Sequence, residues 1–412
     1  MTPACGRARG GPDPWLVMLC VSRTFNMFIF MTYAATLPVL RPAWGMSATA
    51  AGSVSTGFQL GYAVSLLVCS WLADRIGARR VFLWSGWLAA ATAVAFALHA
   101  RSYLSALILY TLVALSQGGT YTTAIMLMAD RYPRERRGAA VGWLLASSSL
   151  GYALSLLVSG IALRQGGYRF AFVATAAGPV IAVVLAWTVL RTTPNVVHAR
   201  AEGPGFGGEV LRNRLAMRLM LGYTFHSWEL LGMWAWTPAF VAACLAVSGL
   251  ASMRAVEIGS YLTAAFHLTG LVASSTMGRL SDRTGRRSVL LAMALTSTLC
   301  SFVFGWLIGW PIALVFAVGA VYGFTALGDS PVLSTAFTEA VRSAYLGSGL
   351  ALRSLLGFGA GAIAPLVFGR VLDLGNLPGA TPTTWGWAFV TLGLGGAAAT
   401  WCAWGLARDR RG

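Results

Sequence analysis

Four ionisable side chains interrupt stretches that are otherwise apolar: Arg23, Glu229, Asp329 and Arg353. His226 and His267 sit in the same kind of setting. A guanidinium among apolar neighbours suits one task above others, because its planar fork donates two parallel hydrogen bonds to a carboxylate. A buried carboxyl suits another, because desolvation disfavours its charged form and brings proton exchange toward neutral pH. Together these residue types offer binding of an organic anion and movement of a proton with it. No nucleophile–base pair, phosphate loop or metal-ligand spacing accompanies them, so the chain reads as a non-enzyme with no cofactor and no metal.

Helical spacing groups these side chains with others. Arg23, Asn26, Phe30 and Tyr33 recur at three- and four-residue steps, which places them on one stripe of a helix. His226, Glu229, Met233 and Trp236 do the same. Gln117, Thr120, Tyr121, Asp329 and Arg353 complete a polar lining. The candidate substrate-binding residues are therefore Arg23, Asn26, Tyr33, Gln117, Tyr121, His226, Met233, Trp236 and Arg353, with Glu229 and Asp329 as proton-coupling groups. The competing reading pairs Arg23 with Glu229, or Asp329 with Arg353, as ion pairs that only hold helices together; breaking such a pair costs about 3–5 kcal/mol. His267, Met126 and Met128 read as packing residues. The cysteines Cys5, Cys20, Cys69, Cys244, Cys300 and Cys402 are scattered and define no disulfide or zinc framework.

The elements that must hold these side chains are membrane helices. Hydrophobic residues are 57% of the 412-residue chain and charged residues 10%, against about 25% charged in soluble domains. Apolar runs of about 20 residues occur twelve times, near 15–40, 48–70, 80–99, 102–128, 138–163, 168–190, 218–246, 255–279, 287–308, 311–335, 345–372 and 384–407. They are numbered below as spans 1 to 12. The first is too long for the apolar part of a secretory signal and reads as a retained helix. At about 1.5 Å per residue, Arg23, His226, Asp329 and Arg353 lie in one layer about 12 Å from their helix ends, and Glu229 lies nearer the middle.

The net charge of +17 comes from 30 basic residues, all arginine. Most fall at Arg7 and Arg9, after the even-numbered spans, and in the tail from Arg408. Arg41, Arg101, Arg164, Arg169, Arg254 and Arg370 fall on the other side. This asymmetry puts both termini in the cytoplasm and makes the basic excess a matter of topology, with no nucleic-acid surface. The hydrophilic stretch 191–217 is too short for a catalytic domain. The expected organisation is a six-helix bundle over 1–190, a cytoplasmic linker over 191–217, and a second bundle over 218–412.

The halves repeat. Asp74-Arg75-Ile76-Gly77 followed by Arg79-Arg80 recurs as Asp282-Arg283-Thr284-Gly285 followed by Arg286-Arg287, half a chain away. Thr24-Phe25-Asn26 with Pro38 recurs as Thr224-Phe225-His226 with Pro238. Asp130 and Gly138 match Glu339 and Gly347. Over essentially its whole length the chain resembles the major facilitator superfamily. The double charged turn is that family's most specific motif, with Ser70 standing where a glycine usually opens the first copy. Asp130 with Arg137, and Tyr168-Arg169-Phe170 before span 6, resemble further family features. The resemblance implies an all-α membrane protein of twelve helices in two pseudo-symmetric six-helix bundles. Spans 1, 4, 7 and 10 would line a central cavity, and span 11, usually peripheral, carries a cationic residue in oxalate-type exchangers.

It also implies a gating latch. Asp74 would face the start of span 11 and Asp282 the start of span 5, each accepting from exposed helix N–H groups. Arg75, Arg79 and Arg80 would act with Asp130 and Arg137, and Arg283, Arg286 and Arg287 with Glu339. These contacts belong to the state closed on the cytoplasmic side. Span 4 has Ala114 where some members carry arginine, span 5 lacks the Gly-Pro motif of many drug exporters, and the nitrate-carrier pattern is absent.

The expectation is a secondary active transporter of a small organic solute, leaning to a proton-coupled carboxylate, working by alternating access. A drug exporter and a non-transporting membrane sensor are the alternatives. Its partners would be a small-molecule substrate, protons and the lipid bilayer. It would act as a monomer, multi-pass, in the bacterial inner membrane.

Overall fold

A computed structural model describes residues 13–197, 210–342, 346–377 and 383–406, with the side chains of 134, 135 and 346–348 left undescribed. Cys5 and residues 198–209 of the expected linker lie outside the described residues. Every expected span falls on helix, and no strand occurs among the described residues. Among the described residues, eight helical segments are individually long and apolar enough to cross a membrane. One of these, Arg136–Leu190, carries both spans 5 and 6. Gly166 and Gly167 are non-helical within it, with Gly167 at φ 69°, so the chain turns back there.

Span 1 is broken. Pro14–Asn26 gives way to a tighter turn at Met27–Ile29, and Thr32–Ala43 resumes the helix. In hydrocarbon a backbone carbonyl released by such a break must find another donor. The neighbours supply them: Gln117 Nε2 donates to the Asn26 carbonyl at 2.7 Å and the Tyr110 hydroxyl to the Phe30 carbonyl at 2.6 Å. Ser155 donates to the Phe28 carbonyl. The break therefore sits where spans 4 and 5 can satisfy it, directly beside Asn26.

Both charged turns are tighter than a loop. Span 2 runs Ala48–Ile76 and span 8 runs Ser252–Thr284, so Asp74 and Asp282 lie in final helical turns rather than in gaps. A single glycine reverses each chain: Gly77 at φ 92°, ψ 142°, and Gly285 at φ 92°, ψ 143°. Positive φ favours glycine, which is why the fourth residue of the motif is fixed in both copies.

Spans 1–6 and 7–12 form two helical bundles. They meet where span 2 packs on span 11, span 5 on span 8, and Thr32–Ala43 on span 7, Arg214–Val247. The approach is backbone-close. A Cβ added at Gly52 would stand 2.2 Å from the Pro365 carbonyl oxygen, and one at Gly369 would stand 2.2 Å from that of Ala48. Outward faces are apolar, with Val64, Val68, Leu104, Val272 and Leu299 exposed.

Candidate functional site

Arg23, on the first segment of span 1, is 5% exposed. Its Nε donates to Ser148 Oγ at 2.8 Å and its Nη1 to Thr120 Oγ1 at 3.3 Å. The guanidinium stands 5.1 Å from the centre of the Tyr121 ring, and Nη2 reaches the Tyr62 hydroxyl at 3.5 Å. Asn26 Nδ2 donates to the same Thr120 hydroxyl at 3.0 Å. Gln117 stands behind Asn26 and holds its backbone. Spans 1, 2, 4 and 5 thus converge on one cation.

Arg353, on span 11, faces it from the other bundle. It is 6% exposed, stacks 3.9 Å over the Tyr223 ring, and donates from Nη2 to Ser334 Oγ at 2.9 Å. Its Nε and Nη1 are buried without a hydrogen-bond partner among the described residues. Tyr121 lies within electrostatic range of both Arg23 and Arg353. Neither guanidinium forms an ion pair among the described residues. Buried donors left unpaired are costly, and Arg353 carries two of them, whereas each Arg23 nitrogen has a hydroxyl partner.

Aromatic rings close one end. Phe30 stands 4.8 Å from Tyr152, Tyr152 5.0 Å from Trp234, and Trp234 5.5 Å from His267. Tyr62 meets Phe358 at 5.7 Å. These contacts join spans 1, 5, 7 and 8, and spans 2 and 11, across the two bundles. Tyr62, Tyr152, Tyr223, Trp234 and Ser148 were not among the expected site residues. The pairing of Thr224-Phe225-His226 with Thr24-Phe25-Asn26 was a signal for Tyr223, which precedes it.

The expected stripe of span 7 divides. His226 and Asp329 meet at 3.0 Å between Nδ1 and Oδ1, and His226 Nε2 lies 2.8 Å from Ser330 Oγ. Glu229 turns into the second bundle, accepting from Ser297 at 2.8 Å and Ser301 at 2.6 Å. Met233 lines a narrow pocket with Trp234, Thr237, His267 and Tyr322. Trp236 donates from its ring nitrogen to the Pro365 carbonyl at 3.0 Å and stacks on Phe368. Tyr33 likewise packs inside the first bundle, its hydroxyl donating to the Ala51 carbonyl at 3.1 Å. Arg23 does not meet Glu229, nor Asp329 Arg353; each has other partners.

On the arginine-rich face, Asp74 and Asp282 are exposed. Asp282 pairs with Arg286 at 2.5 Å, and Arg286 reaches Glu339 at 2.8 Å. Arg287 donates to the Trp404 carbonyl, Arg79 to the Arg191 carbonyl and Arg137 to the Tyr132 carbonyl. Arg75 lies over Trp71 and the Arg80 N–H donates to Asn195. Asp130 is exposed. At the start of span 11, where Asp74 was expected to dock, residues 343–345 lie outside the described residues.

An acid on a helix N-terminus does occur, on the opposite face. Asp373, near the end of span 11, accepts from the Ala48 and Thr49 N–H groups at 2.7 Å each and from the Thr49 hydroxyl at 2.6 Å. At the other seam, Glu257 of span 8 accepts from Arg164, just past the end of span 5, at 3.4 Å. Both contacts bind one bundle to the other.

Residues 19–256 match the Major Facilitator Superfamily. The chain belongs to that family, and it is a multi-pass membrane transporter rather than an enzyme. It is 24% identical over 345 residues to a probable 4-methylmuconolactone transporter of Cupriavidus pinatubonensis, covering 78% of this chain and 76% of that one. It is also 24% identical over 398 residues to a probable sulfoacetate transporter of Cupriavidus necator, covering 87% and 86%. Among solved structures it resembles an inward-facing, unoccupied bacterial homolog of the human lysosomal transporter Spinster. There the TM-score is 0.73 at 17% identity, over 95% of this chain and 98% of that one.

Proposed function

We propose that this transporter carries small organic carboxylates or sulfonates, bound between Arg23 and Arg353 and moved together with a proton. The carrying observation is the pair of buried guanidiniums, one from each bundle, with no carboxylate partner among the described residues. Asn26, Thr120, Tyr62, Tyr121 and Tyr223 supply the remaining polar rim. A site with this charge disfavours cationic cargo, which sets the drug-exporter reading below the anion reading. The two relatives, named for 4-methylmuconolactone and sulfoacetate, agree with this choice.

Alternating access would move the bundles about this site. Here the halves are bound on the face of Asp373 and Glu257, while Asp74 and Asp282 are exposed. We assign the arginine-rich face to the cytoplasm of a bacterial inner membrane, from the positive-inside rule, with bundles over 1–190 and 218–412 and a linker over 191–217. The protein would act as a monomer. The proton would reside on the second bundle, at Asp329 with His226, and Glu229 would support the same bundle from within.

Uptake of radiolabelled sulfoacetate and 4-methylmuconolactone into proteoliposomes tests the reading. Saturable uptake, faster with an inside-alkaline gradient, is expected. Absence of saturable uptake or mutual competition across a panel of organic anions would refute the anion assignment. A rate indifferent to the gradient would remove the proton.

A further inference from the structure

We infer that one turn of span 10, from Asp329 to Ser334, links the anion seat at Arg353 to the His226–Asp329 pair, so that filling either alters the other. The inference rests on the proposed reading of Arg353 as an anion seat and of the second bundle as the proton carrier. Its geometry is a continuous set of contacts. Arg353 Nη2 donates to Ser334 Oγ at 2.9 Å, and the Ser334 hydroxyl donates to the Ser330 carbonyl at 2.8 Å. The Ser330 hydroxyl lies 2.8 Å from His226 Nε2, and His226 Nδ1 lies 3.0 Å from Asp329 Oδ1. A second route runs through Tyr223, whose ring lies 3.9 Å beneath Arg353 and 5.9 Å from the His226 ring.

The turn has a gap in its backbone ladder. Pro331 lies between the two serines and has no N–H, so the Leu327 carbonyl four residues earlier loses its helical donor. Ser274 of span 8 donates to that carbonyl instead, at 3.2 Å. Displacement of Ser334 by Arg353 is passed to the Ser330 carbonyl by the Ser334 hydroxyl, in a helix that lacks the rung just before it.

Protonation acts from the other end. A neutral imidazole with its Nδ1–H toward Asp329 accepts the Ser330 hydroxyl proton at Nε2. A proton taken from solvent makes Nε2 a donor, so the Ser330 hydroxyl must rotate away, and only an N–H bond has formed. The charged and titratable groups around this pair are Tyr223 and Glu229 on span 7 and Arg353 on span 11. Arg218 and Cys402 line the cleft that Asp329 enters. Linkage then demands reciprocity: a proton changes anion affinity by the same factor by which the anion changes proton affinity.

Two measurements test this. The chain has four histidines, so the His226 signal in a carbon-13 histidine spectrum can be assigned by its loss in His226→Gln. Arg353→Gln is expected to displace the His226 titration curve, and Ser330→Ala is expected to shrink that displacement by roughly half or more, as in any coupled cycle. Equal displacement in the two backgrounds would overturn the linkage. In proteoliposomes, Ser330→Ala should keep sulfoacetate counterflow within about twofold and lose the stimulation by an inside-alkaline gradient, roughly fivefold or more in the parent. Ser330→Thr, which keeps the hydroxyl, should restore it. Stimulation that survives in Ser330→Ala sinks the linkage and leaves proton coupling standing. A parent protein that ignores the gradient removes proton coupling and this linkage with it.

Discussion

Arg23 and Arg353 are equally buried but differently held, and their variants should differ accordingly. Arg353 spends one nitrogen on Ser334 and leaves two unpaired. Arg353→Gln should therefore fold and melt close to the parent. Its sulfoacetate uptake should fall by roughly 10- to 100-fold, the loss of one charged hydrogen bond at about 1.5–3 kcal/mol. Arg23 bridges spans 1, 4 and 5, so Arg23→Gln should lose uptake and also lower the melting temperature. Uptake and melting curves on the same preparations separate the two. A pH effect belongs to Asp13, outside the membrane spans. Burial pushes its carboxyl up, but donors from Tyr132, Arg131 and the Trp15 N–H outweigh this and hold it below its ordinary value. A carboxyl lowered in the folded state stabilises above its unfolded value, and this is lost as pH falls through the folded one. Asp13→Asn should flatten the acid limb of melting temperature against pH, below about pH 4. An unchanged limb would show that the Asp13 cluster contributes nothing.

Among elements, the contact between spans 2 and 11 decides how firmly one face is shut. Asp373→Ala removes three accepted hydrogen bonds from the start of span 2. A lost helix-start acceptor is worth about 1 kcal/mol, so labelling of a cysteine placed at Ser53 should accelerate by about fivefold or more. Gly52→Ala should act the same way by steric means, its Cβ standing 2.2 Å from the Pro365 oxygen. Unaltered labelling in both variants would mean that this face is held elsewhere. Span 7 shows what periodicity could not supply. Residues 229 through 245 are all buried, so no polar face marks which side meets the other bundle. Met233 and Trp236 consequently pack within their own bundle, and Trp234, off the expected stripe, meets Phe30 and Tyr152. Tyr33 packs inside its bundle for a different reason: the helix is interrupted at Met27–Ile29, which shifts the angular register beyond the break.

For the whole molecule, the features legible in one dimension were the ones that repeat or run long. Twelve apolar stretches and the duplicated Asp-Arg-x-Gly turn need no knowledge of packing, and both turns have the same glycine geometry. The meeting of His226 with Asp329 also agrees with a count of residues along the two helices. Which side chains touch was not legible, because partners such as Ser148, Ser334 and Ser330 carry no signal until the helices are packed. Asp373 was hidden similarly: its role depends on Ala48 and Thr49, more than 300 residues away in the chain.

Two unneutralised guanidiniums also bear on the kinetics of the full cycle. On the proposed reading, a carrier without cargo must swing both cations through the closed intermediate with no counter-charge between them, whereas a bound anion sets a negative charge between the two. The return stroke of the unloaded protein should then be the slow one. One-for-one exchange of labelled anion should outpace net efflux from the same vesicles, and equal rates for the two would show that these charges do not govern reorientation.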